Sequence, residues 1–418
     1  MENKKITVGL FIDAYYPMTD GVVLVVDNYA KRLAKYCNVV VFAPRYVGKE
    51  YDDSVFNYKV VRCRSIKLPI LDYSISVPKM DANFHRILKK YHLDIVHIHS
   101  PFTIGEEGIK YAKKNNIPVI ATMHSQFRQD FKRAVRYDKL ANTLTKTVIH
   151  TFNKCDECWA VNSEVARIFY EDYGYKTLPK VMNNATEMMP VDDVNKACEL
   201  INNKYHLTDE KVMIFVGRIN ALKNIFFIVD ALNLVHEKRP DINFRMFFVG
   251  CGQDEDELRK RIKHYKLDKY ITLVGKVSNR ELLASFYARS DLFLFPSLYD
   301  ASSIVQIESA SQKTPVLFLE GAATAATVTN NVNGFIVKND VNVYAESIIK
   351  ILDDDKLRKK ISNNAYRDLY KNWDDSINEV YHEYLRLINE KESKWFFFHI
   401  LLNRLLYYLI NDILNKKG

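Results

Sequence analysis

Along this 418-residue chain, a short and continuously apolar run is followed by a polar turn and an amphipathic stretch, and the cycle then repeats. In the first half the runs read ITVGLFI, NVVVFA, YKVVRC, DIVHIH, PVIATM and ECWAVN; in the second half KVMIFVG, FRMFFVG, YITLVG, DLFLFP and TPVLFL. A strand with one solvated face alternates apolar and polar residues, whereas a strand covered on both faces is apolar throughout. Amphipathic stretches such as 22–35 and 104–115 lie between the runs and can supply the cover. The pattern predicts an α/β chain of two doubly wound parallel-sheet domains facing across a cleft. At 48% hydrophobic residues the chain has enough apolar side chains to fill both cores. The stretch 183–210 is polar and weakly periodic and reads as the linker region. The expected division is a first domain at 1–185, a linker at 186–210, a second domain at 211–372, a helix at 373–392 returning to the first domain, and an amphipathic tail at 393–418. In open α/β sheets ligands bind beyond the carboxyl ends of the strands, so the loops that follow strands are where function is sought.

Several classes are set aside early. The six cysteines show no disulfide spacing, and the CxxC at Cys155 and Cys158 lacks a second ligand pair for zinc, so unpaired thiols in a reducing compartment are expected. The N-terminus MENKKITVGLFID reads as a first strand rather than a signal peptide. No repeat of solenoid period is visible. The formal charge of +9 suits an anionic ligand or an anionic membrane surface; nucleic acid is not an expected partner.

The strand-to-helix loops carry the candidates. In FVGRINALKN, Arg218 and Lys223 lie between a strand and a helix start, where cations, free backbone N–H groups and the helix dipole converge on a phosphate or diphosphate. Two solvated charges are the alternative reading. In FPSLYDASSIVQIESA, Asp300 lies in the loop, Ser302 or Ser303 can cap a helix running to about Gln312, and Glu308 lies within that helix. The two acids could bracket a sugar nucleotide, Asp300 at the sugar and Glu308 at a ribose-like diol; a second cap and a buried structural carboxylate are the plainer alternatives. Gly21, in YYPMTDGVV, allows close approach of backbone to ligand, or a turn. His97 and His99 lie two apart at the end of a strand and His124 follows the next one, but no carboxylate accompanies them at ligand spacing, so no metal is expected.

Taken in order, YYPMTDGVV, DIVHIHSP, TMHS, FVGRINALKN, FVGCGQDEDEL, the Asp300–Glu308 pair and VTNNVNGFIV resemble a family-4 retaining glycosyltransferase of the GT-B fold, over nearly the whole chain to about residue 392. The helix start at Ser302, Ser303 and Ile304, and Gly21, are expected at the donor from their own chemistry; the resemblance implies that Arg218 and Lys223 hold the donor diphosphate. It places His124 and Asp300 by the transferred sugar and Glu308 on the donor ribose. The first acid is usually Glu followed by a small residue and Gly; here Asp300, Ala301 and Ser302 stand there, with a carboxylate one methylene shorter. Asn183, Asn184 and Ala185 stand where an Asn-Gly pair is common. The resemblance implies hexose transfer with retained anomeric configuration, no metal cofactor, and a same-face route rather than double displacement through a carboxylate.

Residues 126–146 read as one helix with Arg128, Lys132, Arg136 and Lys139 on one face, beside Arg133, and with Phe127, Phe131, Ala134 and Ala141 on another. This resembles the basic membrane-facing helix of lipid-glycosylating relatives. In the tail, Trp395, Phe396 and Phe397 open an apolar stretch whose longest run is too short to span a bilayer. Asn403, Tyr407, Asn411 and Asn415 form a polar stripe, and Lys416 and Lys417 close the stretch. The expected partners are therefore a nucleotide-sugar donor, a lipid acceptor such as diacylglycerol, and the anionic inner face of the cell membrane, with the protein peripheral and cytoplasmic. A polyprenyl-linked or surface-polysaccharide acceptor, a sugar-nucleotide epimerase and a non-enzymatic membrane scaffold stay open as alternatives.

Overall fold

The computed structural model describes residues 5–49, 51–67, 74–135 and 137–415, with side chains placed as far as Phe396. The chain forms two compact units, one of Met1–Met123, Lys146–Trp159 and Asp374–Gly418, the other of His124–Thr145 and Ala160–Trp373.

The elements of the first half are β1 (Thr7–Phe11), α1 (Gly21–Leu33), β2 (Asn38–Arg45), β3 (Lys59–Lys67), β4 (Ser74–Ser76), α2 (Ala82–Leu88), β5 (Ile95–Ile98), α3 (Thr103–Asn115), β6 (Val119–Met123), α4 (Phe127–Val135), α5 (Asp138–Phe152), β7 (Glu157–Ala160), α6 (Ser163–Arg167) and β8 (Lys180–Val181). Among the described residues the strands form one sheet in the order β4-β3-β2-β1-β5-β6-β7-β8. The pairs β1–β2, β1–β5, β2–β3 and β5–β6 are parallel, as the all-apolar runs require. β4 departs from the expectation: it pairs antiparallel with β3 at the sheet edge, Ile66 opposite Ile75. At three residues it is too short to show a period. Local chemistry explains the helix starts. Asp20 caps α1, its Oδ1 accepting from Val23 N–H at 2.9 Å, and Val23, Val26, Ala30 and Leu33 form the buried stripe.

The second half continues with α7 (Val194–Tyr205), β9 (Lys211–Val216), α8 (Ile225–Lys238), β10 (Phe244–Val249), α9 (Glu255–His264), β11 (Ile271–Gly275), α10 (Arg280–Arg289), β12 (Leu292–Leu294), α11 (Ile304–Ser311), β13 (Val316–Leu319), β14 (Phe335–Val337), α12 (Val341–Asp353), α13 (Asp355–Leu369) and α14 (Trp373–Asn415). Its sheet runs β11-β10-β9-β12-β13-β14, parallel at every step. Met213, Ile214, Phe215, Phe247, Phe293 and Phe318 are fully buried in its core.

The stretch 183–210 is not irregular throughout. Asp193 caps α7, and Ala197 and Ile201 bury one face of it; two apolar positions four apart are too narrow a stripe to stand out in a polar segment. The single helix expected over 126–146 is two, α4 and α5, so Lys139 and Ala141 belong to the second. Arg136 lies outside the described residues. The acid run Asp353–Asp355, which as a sequence reads as a solvated charge run, is tied into the fold: Asp353 binds Arg239 at 2.7 Å, Asp354 caps α13 through Leu357 N–H, and Asp355 meets Lys211 and Arg358.

α14 is one helix of 43 residues, so the expected tail continues the returning helix without a break. Ile377, Val380, Tyr384 and Leu387, spaced three or four apart, are buried in the first unit, contributing about 2 kcal/mol each. Tyr384 hydroxyl hydrogen-bonds His97 Nδ1 at 2.6 Å, and Arg386 and Lys391 pair with Glu157 and Asp156. Trp395 and Phe396 are exposed. The side chains of Phe397 and of the stripe Asn403, Tyr407, Asn411 and Asn415 are outside what is described, and Lys416 and Lys417 lie outside the described residues.

Candidate active site

The loop from β9 to α8 is built by backbone contacts before any ligand is considered. Gly217 and Ile219 N–H groups donate to Val249 and Cys251 carbonyls at 3.0 Å each. The approach is so close that a Cβ on Gly250 would stand 1.9 Å from the Gly217 carbonyl oxygen, and one on Gly252 2.2 Å from that of Ile219. Asp254 Oδ2 accepts from Ala221 N–H at 2.7 Å. The FVGCGQDEDEL segment thus braces the Arg218–Lys223 loop, and Asp254 is a supporting residue that the sequence analysis missed. Its signal was an acid two residues after a Gly-x-Gly turn, which could equally be a solvated charge.

On this loop Arg218 is exposed and makes no ion pair among the described residues. Lys223 is mostly buried, lies 6.0 Å from the Phe295 ring centroid, and forms a close ion pair with Asp300 Oδ1. Asp300 Oδ2 is buried and has no hydrogen-bond donor among the described residues. The structure therefore brings a predicted diphosphate cation together with a predicted sugar-contacting acid. An arriving anion would compete for the ammonium, and the orphan oxygen could accept from a ligand hydroxyl.

Ser303 occupies the N-cap of α11 but makes no side-chain cap, contrary to expectation. Ser302 Oγ instead accepts from Asn184 Nδ2 at 3.2 Å. The helix start is held from elsewhere: Asn162 Nδ2 donates to Ala301 carbonyl at 2.6 Å and Gln126 Nε2 to Tyr299 carbonyl at 3.3 Å. The first N–H groups of α11, which its N-cap side chain does not cap, can still receive an anionic ligand. A polar cavity of about 150 Å³ lies beside them, lined by Asn162, Asn184, Ser302, Ser303, Gln306 and Thr327 among others.

Glu308 is 4% exposed. Burial raises its pKa, and Arg280, 2.6 Å away, opposes that shift. Tyr287 hydroxyl donates to Oε2 at 3.4 Å. Glu308 thus pairs with Arg280, an unforeseen partner 28 residues away in sequence. His124 directly follows β6. It keeps some open surface, yet desolvation of its imidazole lowers its pKa to about 3, so the ring is neutral at pH 7.

Gly21 is the exposed first residue of α1 in the other unit, and a Cβ there would meet nothing within 4 Å. Arg128 is exposed. Lys132 pairs with Asp138 at 3.0 Å, and Arg133 lies over the Tyr299 ring at 4.7 Å. Tyr299 also donates a short hydrogen bond to Asp130. α4 therefore touches the Asp300 loop through Arg133 and Asp130. His97 and His99 are core residues, their rings tilted by 30° with centroids 4.0 Å apart, with Thr122 on His97 Nε2. Cys155 and Cys158 are buried free thiols.

Residues 19–186 match the family model described as Glycosyltransferase Family 4, and residues 199–368 the model described as Glycosyl transferases group 1. An alpha-monoglucosyldiacylglycerol synthase of Acholeplasma laidlawii is 26% identical over 375 residues, covering 86% of this chain and 91% of its own length. The enzyme of the same name from Streptococcus pneumoniae is 22% identical over 405 residues, covering 89% and 90%. Among solved structures, Anabaena Alr3699/HepE in complex with UDP superposes with a TM-score of 0.70 at 16% identity, over 91% of this chain and 99% of that one. Sucrose-phosphate synthase from Thermosynechococcus elongatus does so with a TM-score of 0.72 at 19% identity, over 92% and 100%. These matches leave the epimerase and scaffold alternatives without support. With both halves matched in order, the chain belongs to the family-4 glycosyltransferases, a hexosyltransferase of the GT-B fold.

Proposed function

We propose that this enzyme transfers glucose from UDP-glucose to membrane diacylglycerol with retention of configuration. One observation carries the acceptor: two relatives that match the chain nearly end to end are both named alpha-monoglucosyldiacylglycerol synthase. Glucose is α-linked in UDP-glucose, so an α-glucoside product means retention.

In this reading Lys223 exchanges Asp300 for the diphosphate, joined by exposed Arg218 and the free N–H groups at the start of α11. Charge growing on the leaving diphosphate is met by groups already in place, an effect of about 3 kcal/mol per donor. Asp300, released from Lys223, accepts a sugar hydroxyl, and Glu308 accepts from the ribose. His124 remains neutral and donates a hydrogen bond by the sugar. The bond from the anomeric carbon to phosphate oxygen breaks while the bond to the acceptor oxygen forms on the same face. The acceptor proton passes to the departing phosphate. No residue in this scheme calls for a metal. The protein sits on the inner face of the cell membrane, held by anionic lipid; no described helix is long and apolar enough to cross a membrane.

The test is purified protein with UDP-glucose, UDP-galactose or GDP-mannose and diacylglycerol in mixed micelles, with and without EDTA, products resolved by mass. Monoglucosyldiacylglycerol from UDP-glucose in both conditions is expected. No transfer to diacylglycerol from any of the donors, with transfer to a polyprenyl phosphate supplied in its place, would refute the acceptor, and loss in EDTA restored by manganese would refute the mechanism.

A further inference from the structure

Within the first unit, the outer strand pair β3–β4 and the turn into α2 expose apolar side chains among cations. Along β3, Cys63 and Ser65 are buried while Arg64 and Ile66 face out. Ile75 of β4 stands directly opposite Ile66 in the register, and the two are 42% and 45% exposed. Val47, just past β2, and Met80, in the turn before α2, are more open still, at 61% and 70%. No described element covers these four side chains.

Among the described residues the exposed charges around them are mostly cationic. Arg45, Arg64, Lys67, Lys79, Arg86 and Lys89 are exposed, and none forms an ion pair among the described residues. Arg62, by contrast, is held by Asp53 through two hydrogen bonds of 2.6 and 3.0 Å. Among the described residues, Asp81 is the carboxylate that lines the groove at Arg64, Ile66 and Lys67, and both its oxygens are engaged by backbone, from Arg64 N–H at 2.8 Å and Phe84 N–H at 2.9 Å. Two shallow grooves run through the patch. One, of about 650 Å³, takes in Arg64, Ile66 and Lys67; the other, of about 710 Å³, takes in Lys79, Met80 and Arg86.

Cations alone would fit any polyanion, and exposed isoleucines alone many partners. Both together on one sheet edge match a surface that presents phosphates over hydrocarbon. We propose that this edge of the first unit is a docking surface for an anionic phospholipid bilayer, distinct from α4 and the C-terminal helix. Ile66, Ile75 and Met80 enter the headgroup boundary, and Arg64, Lys67, Lys79 and Arg86 meet lipid phosphates. Its role in catalysis rests on the lipid-acceptor reading; its test does not.

Full-length protein is sedimented with phosphatidylglycerol–phosphatidylcholine vesicles, without donor or diacylglycerol. The Arg64→Gln, Lys67→Gln, Lys79→Gln, Arg86→Gln combination should weaken binding about fivefold per cation at low salt. The Ile66→Ser, Ile75→Ser, Met80→Ser combination should weaken it about tenfold at any salt. Both variants should keep the wild-type thermal melt and the wild-type affinity for UDP, which shows that they fold. Wild-type vesicle binding by both variants overturns the proposal. So does loss on the cation variant alone with equal loss of RNA retention, which would mark a polyanion surface. If the wild type glucosylates no diacylglycerol yet both variants lose vesicle binding, the acceptor reading fails and the docking surface stands.

Discussion

Replacing Arg280 with alanine strands the Glu308 carboxylate. Glu308 is buried, and the guanidinium at 2.6 Å is the cation that offsets its desolvation. Breaking a fully buried pair costs about 3–5 kcal/mol. The Arg280 side chain is 50% exposed, so water can replace part of its effect, and about 2 kcal/mol is the reasonable figure at pH 8. The sign with pH follows from the raised folded-state pKa of Glu308. The folded state binds the proton more tightly than the unfolded chain, so this group favours folding below the ordinary Glu value of about 4.3. That contribution is lost as pH rises through the raised value. Without Arg280 the folded value rises further, so the penalty should be small near pH 5 and grow toward pH 8. For a unit of about 150–250 residues, 2 kcal/mol corresponds to a fall of about 4–8 °C in melting temperature. Thermal melts of wild type, Arg280→Ala and Arg280→Lys at both pH values are the assay, with Arg280→Lys retaining most of the stability. An Arg280→Ala deficit equal at both pH values, or larger at pH 5, would refute the reasoning.

Lys223→Ala should cut turnover about a hundredfold, read in donor-saturated assays; wild-type turnover would remove Lys223 from the diphosphate site. Asp300→Ala should change the preference among hexoses more than the affinity for free UDP, measured by calorimetry. His124 stays neutral down to about 3 when folded but titrates near 6.5 when unfolded, so it costs stability as pH falls below 6.5. His124→Gln should therefore flatten the acid limb of the pH–stability curve while lowering turnover. Removing residues 394–418 leaves the Lys391–Asp156 pair in place and should release much of the protein from anionic vesicles with UDP binding unchanged. Undiminished co-sedimentation of the truncated protein would show that the tail is not a membrane element.

Much of the architecture is legible because it is written locally. All-apolar runs become parallel strands, Asp20 precedes the apolar stripe that it caps, and Arg218, Lys223, Asp300 and Glu308 fall on or just beyond loops at strand ends. Where local signals were weak the reading failed: β4 is three residues long, α7 shows a narrow apolar face, and the break between α4 and α5 carries no glycine or proline to mark it.

The rest depends on partners far apart along the chain. Asp13, unremarked in the sequence, accepts from Ile104 N–H and Thr103 hydroxyl at the start of α3, some 90 residues on, where Phe102 offers no side-chain cap. Lys223 meets Asp300 across 77 residues, and His97 meets Tyr384 across 287. By itself the sequence determined which segments are strands and helices and which loops carry cations and acids, because periodicity and loop position are properties of neighbouring residues. Only the tertiary structure decided that Lys223 is clasped by Asp300, that Glu308 is buried against Arg280 and that an isoleucine pair stands open among exposed cations, because charge pairing, desolvation and exposure depend on which distant side chains the packed sheets bring within a few ångströms.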